Sequence, residues 1–314
     1  MTITKRISRL APSPTGALHL GNARTFLINW AIARQKGWQL LMRIEDLDGP
    51  RNKQGSIENT LEILQWLGID FDGEVSRQSV DLTPYRESLQ TLVDNRMAYA
   101  CCLTRKDVEQ AASAPHGDEH ELRYPPELRP DDFQDSKTNV HGANYRFVTQ
   151  DLDMPIEDEL AGPGAFNPHR EIGDFVIWTK RDEPAYQLAV VVDDARQGVT
   201  DVVRGIDLLP SAARQMLIYR ALGFTPPRWW HVPLVLGEDG RRLAKRHGDT
   251  RLTSYRDHGV SSERVIGLLA HWCSASEPRT EISAMDFLES FSLEKLGSDP
   301  LIFTQEDEAW LRNA

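Results

Sequence analysis

The fold is decided by the stretch Arg9-Leu-Ala-Pro-Ser-Pro-Thr-Gly-Ala-Leu-His-Leu-Gly-Asn22. A short apolar segment, residues 7–11, runs into two prolines, and an amphipathic run over residues 22–36 follows the His-Leu-Gly turn. This order predicts a strand, a tight loop and the start of a helix. The first N–H groups of a helix are unpaired and carry partial positive charge, so they can hold a phosphate. His19 adds a side-chain donor beside them, and Gly16 and Gly21 allow a ligand to approach the backbone closely.

The segments around this loop alternate between strand and helix patterns. We predict strands over residues 39–44, 175–179, 186–192, 199–204 and 231–236, and helices over residues 56–67, 84–95 and 210–222. The alternation predicts an α/β fold with a doubly wound parallel sheet of the Rossmann type. Ligands of such sheets bind at the carboxyl ends of the strands, where both the opening loop and Glu45 fall.

The alternation is interrupted between residues 99 and 168, where the chain is polar and rich in Pro, Asp and His. We therefore expect four parts. Residues 1–98 and 171–250 form the two halves of the catalytic domain, residues 99–170 form an inserted α+β subdomain, and residues 251–314 form a short helical C-terminal part. One or two helices are expected after residue 253.

Composition limits the class of protein. With 36 basic and 47 acidic residues the net charge is −11, which argues against broad nonspecific binding of nucleic acid but allows a local basic patch. The longest apolar runs are too short to span a bilayer, and the N-terminus does not resemble a signal peptide. Three cysteines, two of them adjacent, do not form a disulfide framework. We expect a cytoplasmic monomer that does not contact a membrane.

Several polar residues fit a site for an amino acid beside the phosphate loop. Glu45 could hold a substrate ammonium group, Arg204 could hold a carboxylate in a bidentate pair, and Tyr186 could close the pocket. Lys245, in a basic loop, could stabilise charge that develops on phosphate. Each has an ordinary alternative, because acidic turns, capping histidines and basic loops are common surface features. Only their combination favours a site.

Together these segments resemble the class I aminoacyl-tRNA synthetases in the form used by glutamyl enzymes. Residues 9–22 resemble the HIGH region, and Arg43-Ile-Glu-Asp-Leu-Asp48 resembles the RIED segment. Residues 186–205 resemble the strands of the second half, and Arg242-Leu-Ala-Lys-Arg246 resembles the KMSKS loop. The resemblance covers residues 5–249 in consistent order, and four motifs in order are far more specific than one.

The resemblance implies an enzyme that activates glutamate with ATP, accompanied by Mg2+, and then transfers it to RNA. The implied glutamate site consists of Arg9, Ala11, Ser13, Glu45, Tyr186 and Arg204. The implied ATP site consists of His19, Gly21, Asn22 and Lys245, of which His19 and Lys245 act in catalysis.

The length of the chain points to one subfamily. Glutamyl enzymes continue after the KMSKS loop with helical domains that read the anticodon, whereas only residues 248–314 remain here. The chain therefore resembles the truncated glutamyl-Q tRNA(Asp) synthetases, which attach glutamate to queuosine at the wobble position of tRNA(Asp). Val190 agrees, because glutamyl enzymes usually carry Asn there and the truncated paralogues do not. Two alternatives stay open: a truncated enzyme that charges the 3′ end of tRNA(Glu), and a catalytically silent RNA-binding paralogue.

Zinc is not expected in the insertion. Many members of the subfamily have Cys-x-Cys and Tyr-x-x-x-Cys there, but this chain has Cys101, Leu103, Tyr124 and Leu128 at the equivalent positions. Adjacent Cys101 and Cys102 are poorly spaced to bind one ion tetrahedrally. His116 and His120 have a spacing that permits chelation on a helix, but flanking Pro and Gly disfavour that helix. A metal-free insertion is the prediction.

Overall fold

A computed structural model describes residues 5–49, 52, 54–111, 123–138, 142–241, 243 and 249–312. Its strands are β1 Ile7–Leu10, β2 Gln39–Ile44, β3 Ser76–Arg77, β4 Ala98–Cys101, β5 Asn144–Phe147, β6 Met154–Asp158, β7 Gly162–Phe166, β8 Phe175–Thr179, β9 Glu183–Pro184, β10 Asp201–Gly205, β11 Arg228–Val232, β12 Val235–Leu236 and β13 Leu301–Ile302. Its helices are α1 Leu20–Gln35, α2 Ser56–Trp66, α3 Thr83–Asp94, α4 Arg105–Ala111, α5 Pro168–Glu171, α6 Tyr186–Arg196, α7 Leu209–Leu222, α8 Leu252–Asp257, α9 Ser262–His271, α10 Ala284–Ser290 and α11 Gln305–Arg312.

Parallel strands form the centre of the molecule. β1 pairs with β2 and β2 with β3, all in parallel. β10 pairs in parallel with β11, which in turn meets β6. The two groups adjoin where the Thr200 amide donates to the Ile7 carbonyl over 2.9 Å. The carboxyl ends of β1, β2 and β10 therefore lie near one another, which confirms the predicted α/β class with parallel sheets.

Each face of this centre packs against its own core. Val203 and Trp230 belong to one buried cluster with α1 and the C-terminal helices, whereas their strand neighbours Val202 and Trp229 belong to a second cluster with α6 and α7. Side chains alternate across a strand, so apolar residues at successive positions require cover on both faces. The helices on the two faces provide that cover.

One predicted strand is wrong. Residues 186–192 form the first two turns of α6, which ends at Arg196. The helix is buried on all sides at residues 187–194, because it contacts α3, α7 and β8. A helix covered all round lacks an exposed polar face, and residues 188–192 are an unbroken apolar run like that of a buried strand. Tertiary packing decided the conformation of this segment.

The inserted region contains an antiparallel sheet in the order β4-β5-β8-β9. Asp174, just before β8, is fully buried and accepts hydrogen bonds from the Tyr99 hydroxyl, the Arg129 guanidinium and both the amide and hydroxyl of Thr149. These bonds connect the segment at residues 123–138 to the sheet. Strand β8 was expected in the second half of the catalytic domain, but it pairs with β5 and β9 in this antiparallel sheet. The four-part division of the chain stays a prediction.

Gly173 gives a test of how this region is held together. Its φ is +69°, and a Cβ there would lie 1.7 Å from the Tyr124 carbonyl oxygen. We expect Gly173→Ala to lower the free energy of unfolding by about 3 kcal/mol or more, because it adds a backbone clash to a strained φ. Gly142→Ala is the matched control, since Gly142 has φ +75° with open space around it, and should cost only about 1 kcal/mol. Chemical denaturation measures both, and equal losses would contradict the close approach.

The segment after residue 251 contains four helices, α8 to α11, where one or two were expected. Helices α9 and α10 pack on α1, and β13 pairs in parallel with β12. Buried Leu252, Leu269, Phe287 and Leu311 share the core that covers α1. This segment therefore supports the helix that begins at His19. No helix among the described residues is long and apolar enough to cross a membrane.

Candidate active site

A cavity of about 580 Å³ opens where β1, β2, β10 and the start of α1 meet. It is lined by nine of the ten residues predicted to form the site: Arg9, Ala11, Ser13, His19, Gly21, Asn22, Glu45, Tyr186 and Arg204. The tenth, Lys245, lies outside the described residues. The opening loop thus borders a pocket that residues from distant parts of the chain complete.

Arg9, which lines the cavity, shares a carboxylate with a second buried arginine, Arg43. Arg43 Nη1 donates to Asp194 Oδ1 over 2.6 Å, and Arg9 Nε lies 3.4 Å from the same oxygen. Asp194 on α6 is fully buried, and both guanidinium groups are nearly so. Removing one member of such a group leaves an unpaired buried charge, which is strongly unfavourable. The pairing holds Arg9 in place at the wall of the cavity.

Glu45, directly after β2, accepts from Arg43 Nη2 over 3.1 Å and faces the cavity. Burial raises the pKa of the Glu45 carboxyl, although Arg43 and Arg9 oppose that shift. The two guanidinium groups therefore do not fully offset the cost of burying the ionised carboxylate, and a cationic group beside Glu45 would stabilise it further.

This gives Glu45→Gln two opposite expected effects. The variant should weaken glutamate binding about tenfold or more, because a charge-assisted hydrogen bond is lost. It should keep or raise the melting temperature at pH 7, because the raised pKa of Glu45 means that its ionised form opposes folding. The difference in melting temperature should shrink as pH falls and Glu45 becomes neutral. Calorimetry over pH 4–8 measures both glutamate binding and the melting temperature. If the melting temperature of the variant minus that of the wild type is lower at pH 7 than in acid, the reasoning is contradicted.

Arg204, at the end of β10, differs from the other two arginines in its partners. Its guanidinium donates to His231 Nε2 over 3.0 Å, to Gln215 Oε1 over 2.9 Å and to the Leu208 carbonyl over 3.2 Å. All three acceptors are uncharged, and no carboxylate of the described residues forms an ion pair with Arg204. Its side chain is nearly buried, and burial lowers the pKa of Arg204. The site thus holds a fixed, unneutralised cation that fits a substrate carboxylate.

His19 is the N-cap of α1. Its Nδ1 accepts from the amides of Gly21 and Asn22 over 3.2 and 3.4 Å, and the Asn22 side chain accepts from the His19 amide. Because Nδ1 is an acceptor, the ring proton of neutral His19 is on Nε2. Gly21 permits this arrangement, since a Cβ there would lie 3.1 Å from the His19 ring. The cap thus fixes a ring donor and a helix N-terminus at the same wall of the cavity.

Tyr186 is the first residue of α6 and exposes 40% of its surface, in contrast to the buried residues that follow. Ala11 and Ser13 contribute the loop side of the same wall, where Ser13 Oγ lies 3.1 Å from Thr15 Oγ1. Small side chains at these two positions leave the volume between Arg9 and Arg204 open. A ligand the size of an amino acid could reach the charged groups of Arg9, Glu45 and Arg204.

The basic loop that contains Lys245 lies outside the described residues except for Leu243, but the residues that flank it make defined backbone contacts. On one side the Gly237 amide donates to the Arg241 carbonyl over 2.8 Å. On the other side Leu20 donates to the Thr250 carbonyl over 3.2 Å and Leu252 donates to the Leu18 carbonyl over 2.9 Å. The residues that follow the basic loop are therefore bound to the start of α1.

Sequence reasoning missed the residues that hold the arginines: Asp194, Gln215, His231 and Asp158. All four lie far from the opening loop in sequence, and Asp194 comes two residues after the segment 186–192 that was predicted as a strand. Buried polar residues next to apolar runs, as in Val191-Val-Asp-Asp194, were the available signal, since buried charges require partners.

In the part of the chain that the structure describes, no group of three or more His, Cys, Asp or Glu side chains is arranged so that it could hold a metal ion. Buried Cys101 lies 3.6 Å from the Tyr124 hydroxyl, and Cys102 is exposed. His116 and His120 are outside the described residues.

Comparison with known proteins agrees with this geometry. The family profile described as tRNA synthetases class I (E and Q), catalytic domain, matches residues 6–310. The chain is 45% identical to a glutamyl-Q tRNA(Asp) synthetase of Rhodopirellula baltica, over 84% of each chain. It is 40% identical to one of Symbiobacterium thermophilum, over 96% of this chain and 97% of the relative.

Longer relatives match over only part of their length. A glutamate–tRNA ligase of Geobacter sulfurreducens is 34% identical over 97% of this chain, which spans 65% of that ligase. The crystal structure of a glutamate tRNA ligase from Elizabethkingia meningosepticum, in complex with its amino acid, superposes with a TM-score of 0.81 and 28% identity. That match covers 98% of this chain and 68% of the ligase.

Proposed function

The chain belongs to the class I tRNA synthetases of the glutamate and glutamine type, and we propose that it activates glutamate with ATP and transfers it to queuosine in tRNA(Asp). It is a ligase of the aminoacyl-tRNA synthetase type. The proposal rests on one observation, which is that Arg204 lines the same cavity as Arg9, Glu45 and the N-terminus of α1. The hydrogen-bond acceptors of Arg204 are all uncharged.

Glutamate carries two carboxylates and one ammonium group, and the lining of the cavity includes the guanidinium groups of Arg9 and Arg204 and the carboxylates of Glu45 and Asp207. In the proposed complex Arg9 and Arg204 each bind a carboxylate and Glu45 binds the ammonium group. Tyr186 closes the pocket, while Ala11 and Ser13 line it. Because each charged group of the substrate has an opposite, already buried partner, little reorganisation is needed on binding.

ATP occupies the other wall in this proposal, against Gly21, Asn22 and the His19 ring. Amides at the start of α1 and the Nε2–H of His19 are suited to phosphate oxygens. Lys245 approaches from the basic loop and stabilises the leaving pyrophosphate. Mg2+ enters as the complex with ATP and neutralises phosphate charge. Residue roles at both walls are part of the proposal.

The reaction has two balanced steps. A glutamate carboxylate oxygen attacks the α-phosphorus of ATP, the bond to the β-phosphate oxygen breaks, and pyrophosphate leaves with the electron pair. A hydroxyl of queuosine then attacks the acyl carbon of glutamyl-adenylate, and AMP leaves while the hydroxyl proton is released. The protein contributes positioning and fixed positive charge rather than a covalent intermediate. Its substrates place the activity in the cytoplasm, and the chain acts as a monomer.

Activation can be tested alone by ATP–pyrophosphate exchange with glutamate and purified protein. Exchange without any tRNA, specific for L-glutamate over glutamine and aspartate, is the expected result. No exchange from folded protein, with or without tRNA, would support a catalytically silent paralogue. Because glutamine lacks the side-chain carboxylate, exchange with glutamine at equal rate would contradict the charge pairing of the cavity.

A further inference from the structure

A chain of buried polar groups lies behind Arg204, away from the cavity. Arg204 and His231 occupy paired positions on β10 and β11, and Asp158 ends the neighbouring strand β6. Arg204 Nε lies 3.0 Å from His231 Nε2, and His231 Nδ1 lies 2.5 Å from Asp158 Oδ2. The exposed fractions of the three residues are 5%, 1% and 7%. Such a chain costs desolvation energy unless every member is satisfied.

Backbone amides fix the Asp158 end of the chain. Its Oδ1 accepts from the amides of Leu160, Ala161 and His231 over 3.0, 2.7 and 3.2 Å. Three donors on one oxygen orient the carboxylate, so Oδ2 can only face the His231 ring. These bonds and the ring hold the pKa of Asp158 below its usual range.

The tautomer of His231 follows from these contacts. An ionised carboxylate only accepts, so His231 Nδ1 carries the ring proton and donates it to Asp158. His231 Nε2 is then an acceptor and can receive the Nε–H of Arg204, which cannot lose a proton. If the proton moved to Nε2, two N–H groups would face each other 3.0 Å apart and Arg204 would have to move.

We infer that Asp158 and His231 are positioning residues that hold the Arg204 guanidinium in register with the substrate carboxylate. This inference rests on the proposed function, since it assigns the bound group to glutamate. Neither residue lines the cavity or touches the substrate. Their effect on glutamate binding passes through one hydrogen bond to Arg204.

The arrangement makes glutamate binding sensitive to acid. The charged side chains that face His231 are Asp158 from β6 and Arg204 from β10, and the Leu208 carbonyl lies nearby. Burial is the main cause that lowers the pKa of His231, so the ring is neutral at pH 7. Protonation below that lowered pKa removes the acceptor and places a second positive charge beside Arg204. The KM for glutamate should therefore rise as pH falls through it, while the KM for ATP does not follow.

The decisive variant is Asp158→Asn. The three backbone amides should keep the amide oxygen at the Oδ1 position, which turns the NH2 group toward His231. His231 Nδ1 must then accept, the ring proton moves to Nε2, and the bond to Arg204 is lost. In a Ser-His-Asp protease the same substitution at the triad aspartate produces the wrong tautomer and a severe loss of activity. We expect the KM for glutamate to rise roughly 10- to 100-fold, the loss of one charge-assisted hydrogen bond, with an unchanged KM for ATP.

Two further variants separate positioning from simple loss of packing. His231→Gln can present its amide oxygen to Arg204 and does not titrate, so its glutamate KM at pH 7 should be near that of the wild type and should keep only the pH dependence that Glu45 contributes. Asp174→Asn is the matched control, because Asp174 is an equally buried aspartate with several donors in the inserted sheet. It should lower the melting temperature without changing either KM.

Nitrogen-15 chemical shifts of His231 give a readout that needs no activity. The expected result is protonation on Nδ1 in the wild type and on Nε2 in Asp158→Asn. The inference is overturned if Asp158→Asn keeps the wild-type tautomer or the wild-type glutamate KM, or if KM values for glutamate and ATP rise together. Failure of the proposed function can be distinguished from failure of this inference. It would abolish ATP–pyrophosphate exchange in the wild type, whereas the tautomer of His231 could still be measured.

Discussion

Arg204→Gln is expected to raise the KM for glutamate in ATP–pyrophosphate exchange about a hundredfold, and to leave the KM for ATP within about twofold. Hydrogen bonds to charged groups contribute about 1.5–3 kcal/mol, and tenfold in binding corresponds to about 1.4 kcal/mol. Arg204 is expected at the top of this range because its three hydrogen-bond acceptors, His231, Gln215 and the Leu208 carbonyl, are uncharged and do not neutralise the guanidinium.

Arg204→Lys should recover little of this loss. A lysine keeps the charge but cannot bond His231, Gln215 and a carboxylate at once in the fork geometry of a guanidinium. Arg129→Gln is the control for removing a partly buried arginine, since Arg129 pairs with Asp174 in the inserted region. It should lower stability and spare both KM values. A normal glutamate KM in Arg204→Gln would refute the assigned carboxylate site.

His19→Asn is expected to lower the rate of glutamate activation roughly 100- to 1000-fold, the loss typical of removing one donor that stabilises developing charge. Asparagine is a strong N-cap and can accept from the amides of Gly21 and Asn22 in place of the ring. It has no donor at the position of Nε2. The variant should thus separate the capping role of His19 from its proposed role toward ATP.

The comparison with His19→Ala makes this separation measurable. Alanine removes both the cap and the ring, so it should match the activity loss of His19→Asn and also lower the free energy of unfolding by about 1 kcal/mol. Melting curves and pre-steady-state rates of adenylate formation give the two quantities. If His19→Asn is fully active and His19→Ala is not, His19 acts only through the helix start.

Much of the fold was predictable because its segments show periodic patterns. β2 and β8 begin and end where expected, and α3 and α7 begin within one residue of prediction. Helix α1 begins two residues earlier than predicted, since histidine is not among the usual N-cap residues and His19 was assigned to the turn. In α6, burial on all sides removed the polar face that identifies a helix.

The residue types of the site were predictable from the sequence, but the contacts that hold those residues in place were less so. Arg9 and Arg204 lie near the carboxyl ends of β1 and β10 and Glu45 directly follows β2, and side chains at the carboxyl ends of parallel strands converge. Which of the arginines is already neutralised depends on Asp194, and the orientation of Arg204 depends on His231 and Asp158. These partners come from three different elements, so their contacts follow from the packing of α6, β6 and β11 rather than from local pattern.

The acceptor of the glutamyl group tests the central claim most directly. Protein, ATP, Mg2+ and labelled glutamate are incubated with tRNA(Asp) that carries queuosine, with the same tRNA that lacks queuosine, and with tRNA(Glu). Nuclease digestion then separates the anticodon-loop fragment from the 3′-terminal fragment. Label confined to the anticodon-loop fragment of tRNA(Asp) with queuosine is the predicted result. Label on the 3′ end of tRNA(Glu), or on tRNA(Asp) without queuosine, would contradict it.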